Sequence, residues 1–464
     1  MAQKLDMLKS IGHYLLAAFI LSIPAFFNGY PLIYSDSGTY ITSGFDMYVP
    51  IDRPLLYGLF IRIFSLGHSL WFVVWTQCLI LAYVFSHLVR FMMPTVSKSS
   101  VLLLVSFLTA FTSIGWYTSQ LMPDLFIFTS IGCFILLSLS PSLTKIQKTL
   151  LVLIAIFSIS THFSHLLICT LILVSLIGLK LARKQSYKTV KTSILAILLG
   201  SSLVLSISIN YALDKSIVLS KGGHVFLIGR MLDNGVLQSY LDDKCSSEDY
   251  SLCQYKDSLP ADSRAFLWSD TSPVNLDGGW LATSDSYTKI LRGILTSPKH
   301  LSQFIFTSAT SSISQLFQND IGSGLESTWY AKPSSPPYGA VKEFFPHEMN
   351  QYLQSRQNNN LWGQGLKFNT LNTINFVLLL ASIFIIYLGM VVKKNRKLLH
   401  PNLMLASTIV LAGIIFNAVV IASLANVYDR LQSRISWVIV LIAILIIIQL
   451  GRRLYYNTTE LFRV

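Results

Sequence analysis

Two aspartates, a pair of arginines and a pair of histidines are the residues of this chain best placed to do chemistry. Asp36 lies in Tyr34-Ser35-Asp36-Ser37-Gly38, just after the first apolar run, and Asp124 lies in Met122-Pro123-Asp124, between the third and fourth runs. A carboxylate so placed can take a proton from a hydroxyl brought to it, or share a divalent cation with a second acid. The bland alternatives are a solvated loop acid and a helix N-terminal charge, the latter worth about 0.3–1 kcal/mol. Arg430 and Arg434 stand in Tyr428-Asp429-Arg430-Leu431-Gln432-Ser433-Arg434, a short connection between the last two apolar runs. A guanidinium fork binds phosphate bidentately, so arginines in that position suggest a phosphate contact, with headgroup snorkelling as the competing use. His162 and His165 are three apart and either face one phosphate or form a satisfied interfacial pair. Further cations open to such a site are Arg53, Arg230, Lys221 and His224. The last two flank Gly222 and Gly223, whose backbone amides can approach an anion but equally make a plain turn.

The elements that must position these residues follow from hydropathy. The chain of 464 residues is 52% hydrophobic and 12% charged. A soluble domain carries about 25% charged residues, so lipid is the expected solvent. Apolar runs near 12–30, 69–90, 100–117, 124–141, 149–161, 164–182, 192–213, 371–392, 402–425 and 435–451 predict about ten spanning helices. The run at 12–30 has spanning length and no small-x-small cleavage site, so it is expected to remain as a first helix. The net charge of +13 sits in short stretches between runs: Lys4 and Lys9; Arg90 and Lys98; Lys145 and Lys148. The series continues with Lys180, Arg183, Lys184, Lys188 and Lys191, then Lys393, Lys394, Arg396 and Lys397, then Arg452 and Arg453. With both termini cytoplasmic, each stretch falls on the cytoplasmic side, as the positive-inside bias requires. No basic face with interleaved aromatics appears, so nucleic acid is not an expected partner.

Two segments then fall outside the bilayer, 30–68 and 214–370. The expected fold is mainly α: a polytopic membrane helix bundle with one sizeable outer-face domain, α-rich or mixed. Its divisions are 1–213, 214–370 and 371–464. Cys245 and Cys253 have seven residues between them in the polar segment and are expected to form a disulfide in an oxidising compartment. Cys78, Cys133 and Cys169 lie in apolar runs as small buried hydrophobes. Trp268, Trp280 and Trp329 offer stacking faces for sugar or peptide, or serve as core and interfacial anchors. Zinc spacing, a nucleotide-binding glycine loop and a Gly-x-Ser-x-Gly elbow are absent from the sequence.

The first helix, the loop with Asp36, the stretch at 55–66 after Arg53-Pro54, and Met122-Pro123-Asp124 together resemble the GT-C glycosyltransferases over about the first 215 residues. These are membrane enzymes that take a sugar from a polyprenyl-phosphate carrier. The resemblance implies Asp36 as catalytic base and Asp124 as the second acid, which orients the acceptor or holds Mg, Mn or Ca if a divalent cation is used. It implies inverting transfer to a hydroxyl of a glycan, lipid or protein, at the outer face of a bacterial inner membrane. A lipid-linked glycan polymerase or ligase is the rival within enzymes. A flippase or transporter is the rival outside them, and it predicts ionisable residues in mid-helix, which are scarce here.

Overall fold

The computed structural model describes residues 2–182, 185–359 and 365–461, so Arg183 and Lys184 lie outside the described residues. Among the described residues the fold is helical, and extended pairing is confined to a bridge between Leu32 and Gln120. The first helix, α1 (Ala2–Leu21), breaks at Ser22. Pro24 then opens α2 (Ile23–Asn28), where a missing amide costs nothing, and Gly29 closes it at φ +81°. Next come α3 (Ser35–Asp46), α4 (Leu56–Ser65), α5 (Leu70–Met92), α6 (Lys98–Phe111) and the short α7 (Ile114–Thr118). A 3-10 turn at Pro123–Leu125 leads into α8 (Phe126–Leu139), followed by α9 (Lys145–Ser160), α10 (Phe163–Leu181) and α11 (Thr192–Asp214). Side-chain caps set several starts: Ser69 Oγ accepts from the Trp71 amide, and Thr144 and Gln147 cap each other reciprocally.

All ten apolar runs are helical, but they are unequal. Among the described residues six helices are long and apolar enough to cross a membrane: Leu70–Met92, Phe163–Leu181, Thr192–Asp214, Asn369–Val391, Pro401–Leu424 and Arg430–Arg453. The apolar helices Leu8–Leu21, Lys98–Phe111 and Pro123–Leu139 are shorter, as is α9 with 16 residues. The 14 residues of α6 rise about 21 Å, against a hydrocarbon core of about 30 Å. The expected run at 100–117 is cut at Thr112, whose extended backbone separates α6 from α7.

The segment 214–370 does not share one core. Its first part, α12 (Gly223–Asp233), α13 (Val236–Lys244), α14 (Ser263–Trp268), α15 (Pro273–Leu276) and α16 (Ser284–Thr296), buries Val225, Leu237, Phe266, Tyr287 and Ile290 together. Cys245 and Cys253 are joined there as a disulfide, with Cα atoms 5.5 Å apart, in agreement with the expected pairing. Next, α17 (Pro298–Leu316) lies along a later helix. Then α18 (Pro336–Phe344) and α19 (Met349–Gln354) join the main core, where Val341, Phe345 and Tyr352 cluster with Tyr40 and Tyr57. The chain ends with α20 (Asn369–Ile386), α21 (Lys393–Arg396), α22 (Pro401–Leu424) and α23 (Arg430–Leu461). The partner of α17 is α22, and Gln315 exchanges hydrogen bonds of 2.9 and 3.0 Å with the Tyr428 backbone. The expected loop around Arg430 and Arg434 is instead the opening of α23.

Two glycines let α3 be enclosed. A Cβ on Gly38 would sit 2.5 Å from the Pro336 carbonyl carbon, and one on Gly44 would sit 2.1 Å from the Gly58 oxygen. Both neighbours are backbone and cannot swing away. Replacing Gly44 by Ala should therefore cost about 1–3 kcal/mol or more by overpacking, read as a lowered melting temperature of the purified protein. Gly12, in α1 with nothing within 4 Å of its would-be Cβ, is the control. Gly12→Ala should be neutral or stabilising. Equal melting of the two variants would contradict the close approach of α3 and α4.

Candidate functional site

Backbone pairing brings the two acids together. The Leu32 amide donates to the Ser119 carbonyl and the Leu121 amide to the Leu32 carbonyl, both at 2.9 Å. Ser37 Oγ adds a 2.9 Å bond to the Leu121 carbonyl. Gln77 of α5 ties down the Asp124 strand, donating to the carbonyls of Thr118 and Gln120 at 2.7 and 2.6 Å, while its own oxygen accepts from Tyr57 at 3.0 Å. The stretch before Asp36 is held from the far side of the chain. Gln357 bonds Ile33 through both amide atoms (2.9 and 2.7 Å), and buried Glu348 accepts from Tyr30 at 2.7 Å and from Ser69 at 2.5 Å.

Three arginines meet three aspartates at this junction. Arg53 donates to Asp36 Oδ1 at 3.3 Å and also holds Asp52. Arg430 donates to Asp36 Oδ2 at 3.2 Å, lies 4.1 Å over the Tyr34 ring, and has its Nε 4.0 Å from Asp124 Oδ2. Arg434 donates to Asp124 Oδ1 at 3.2 Å, to Asn417 Oδ1 at 2.8 Å and to Ser164 Oγ at 3.1 Å. The three acids differ in access: the Asp36 side chain is 28% exposed, Asp52 13% and Asp124 1%. Burial alone would push the Asp36 carboxyl up, but the charges of Arg53 and Arg430 outweigh it and bring it down to about 2. One guanidinium thus bridges both expected acids, and they belong to one cluster.

His162 closes the cluster on the α9–α10 side. It caps α10, its Nδ1 accepting from the Ser164 amide at 3.2 Å, so in the neutral ring Nε2 carries the hydrogen. Burial, then the charges of Arg434 and Arg430, keep this imidazole neutral. An apolar recess flanks it, walled by Ser160, Phe163, Ser206 and Leu219. The recess continues to Pro54 and Leu55, the residues following Arg53.

Several expected site residues take other places. Arg434 is fully buried and its guanidinium is engaged by Asp124, Ser164 and Asn417, so it supports the Asp124 carboxylate and is no direct phosphate ligand. His165 is fully buried, with its ring nitrogen 2.9 Å from the Ser158 carbonyl. Lys221 pairs with Asp214 at 2.9 Å and His224 bonds the Trp280 carbonyl at 2.8 Å, which uses their polar atoms within the α11–α12 connection and the second core. Arg230 is buried beside Asp233 at 4.0 Å. Trp268 and Trp280 face each other, ring centroids 5.2 Å apart, and Trp329 packs edge-on against Tyr330.

Tyr34, Ser164, Asn417, Glu348 and Gln357 were not singled out from the sequence. Asn417 alone carried a signal, as an amide within an otherwise apolar run. A divalent cation does not fit the two acids as they stand, because Arg430 occupies the space between them. Among the described residues no group of three or more His, Cys, Asp or Glu side chains could hold a metal.

Removing Asp124 leaves Arg434 buried without its counter-charge. Asp124→Ala should therefore destabilise the protein by about 3–5 kcal/mol in denaturant unfolding, and near-wild-type stability would refute the pairing. The folded carboxyl of Asp36 is depressed below its ordinary 3.8, so its stabilising contribution is present above about pH 4 and lost as pH falls toward about 2. The stability difference between wild type and Asp36→Asn should shrink over that window and stay flat above it. No family model matches the chain, and neither curated proteins nor solved structures give a match to it.

Proposed function

We propose that this protein is an inverting glycosyltransferase that uses a polyprenyl-phosphate-linked sugar at the outer face of a bacterial inner membrane. The observation that carries the reading is the position of Asp36. It is a partly open carboxylate between two arginines, one of which, Arg53, precedes Pro54 and Leu55 on the wall of the small recess that runs toward His162. A carrier lipid needs apolar surface for its chain and cations for its phosphate, next to a base for the acceptor. The cations and the carboxylate at Asp36, with apolar residues next in the chain to Arg53, are what support this reading.

In this reading the phosphate lies against Arg53, Arg430 and the Nε2–H of His162. The acceptor oxygen attacks the anomeric carbon while the bond from that carbon to the phosphate oxygen breaks, its electron pair leaving with the phosphate. The acceptor proton passes to Asp36. A single displacement inverts the anomeric centre. Asp124, locked by Arg434, fixes the floor on which Arg430 rests. The six long helices and four shorter ones then make about ten passes with both termini cytoplasmic, the shorter ones being completed by their polar neighbours. The units at 223–296 and 319–368 stand on the outer side, where a disulfide persists.

General base catalysis contributes about 10²–10⁴-fold. Asp36→Asn should lose that much transfer from radiolabelled polyprenyl-phosphate sugars to membrane acceptors. Asp46→Asn, an exposed change on the same helix, should keep its activity. Transfer by Asp36→Asn within a few-fold of wild type would remove Asp36 as the base.

A further inference from the structure

Asp36 is bound by the same two guanidiniums that the phosphate would need. Each carboxylate oxygen is taken by a different arginine, Oδ1 by Arg53 and Oδ2 by Arg430. This is how a phosphate would use the pair. Neither arginine depends on Asp36 alone. Arg53 keeps Asp52, and Arg430 keeps its place over Tyr34 with its Nε 4.0 Å from Asp124 Oδ2, an oxygen that is buried and has no hydrogen-bond partner. Each guanidinium therefore has a second anion to hold it when Asp36 lets go.

We propose that Asp36 acts as a resident stand-in for phosphate: an incoming phosphate takes over Arg53 and Arg430, and only then is the carboxylate released to serve as base. The proposal rests on the reading of Asp36 as that base, and adds the order of events at the site. Charge supports it. Arg53, Arg430 and Arg434 balance Asp36, Asp52 and Asp124, so the resting cluster is neutral. A phosphodiester brings one negative charge. Transfer makes the phosphate a dianion and neutralises Asp36 with the acceptor proton, so the total stays the same through the reaction. Other titratable groups that feel the Asp36 charge are Tyr34 and Tyr40 at α3, Tyr330, and the His162 imidazole. A carboxylate clamped by two guanidiniums is a weak base, because their charge stabilises its ionised form. Handing them to phosphate reverses this, so the base becomes active only when the donor is in place.

The test is equilibrium binding of farnesyl phosphate and of inorganic phosphate to the purified full-length protein. Wild type, Asp36→Asn, Asp36→Ala and Asp46→Asn are compared, each checked for a cooperative melt. Removing the internal competitor should tighten farnesyl phosphate binding about tenfold in either Asp36 variant, while Asp46→Asn binds like wild type. Inorganic phosphate binding tightened equally would show that the phosphate group alone is recognised. A gain confined to farnesyl phosphate would show that the lipid chain is needed as well. Both outcomes support the exchange. Binding by wild type with equal or weaker binding by the folded Asp36 variants would overturn the exchange and leave the functional reading standing. Farnesyl phosphate bound by none of the proteins would overturn both.

Discussion

Arg430 is the residue on which the arrangement of the site depends. It reaches Asp36 on one side and approaches Asp124 on the other, with Tyr34 beneath its plane. Ionised groups withdrawn from water are costly to desolvate, and the cost is tolerable only when opposite charges lie beside them. The cluster gives each charge an opposite neighbour by alternating signs along a row: Asp52, Arg53, Asp36, Arg430, Asp124, Arg434. The buried end is closed by neutral groups, Ser164 and Asn417, which both accept from Arg434 Nη2. The open end is Asp36, where solvent or a ligand can enter.

That row draws on distant parts of the chain, so the folding problem is to bring them to one place. The Leu32–Gln120 bridge aligns the first two acidic segments. The 346–358 stretch returns from far along the sequence to hold residues 28–33 in register through Glu348 and Gln357. The backbone contacts of α3 with α4 and α18, which tolerate only hydrogen at Gly38 and Gly44, leave the Asp36 helix little freedom. The result is pre-organisation: the fold itself fixes the carboxylate and its two cations in place.

The helical units that depart from the bundle have a different logic. The unit at 223–296 has its own apolar core and an internal disulfide. The part from Tyr330 to Tyr352 shares Tyr330, Val341 and Tyr352 with the main core, while Ile321, Leu325, Leu366 and Phe368 form a small cluster with Leu32, so both brace the first loop. The tryptophans that drew attention in the sequence sit mostly in the first of these units, and two of them are spent on each other.

Hydropathy and residue type alone determined that the chain is largely a set of apolar helices, that Asp124 stands at the head of one, and that Cys245 and Cys253 can pair; Asp36, expected in a loop, instead opens the separate short helix α3. These are local properties, set by the period and length of apolar runs and by short spacings. Tertiary structure alone decided which charge faces which. Arg434, four residues after Arg430, is one helical turn further along α23, and that rise converts a ligand candidate into a buried strut. Lys221 and His224 were drawn away by partners at Asp214 and Trp280, and Glu348 and Gln357 acquired their roles only because the chain folds back over its first loop. Pairings across hundreds of residues leave no periodic trace in a single sequence, since they depend on packing geometry and not on local pattern.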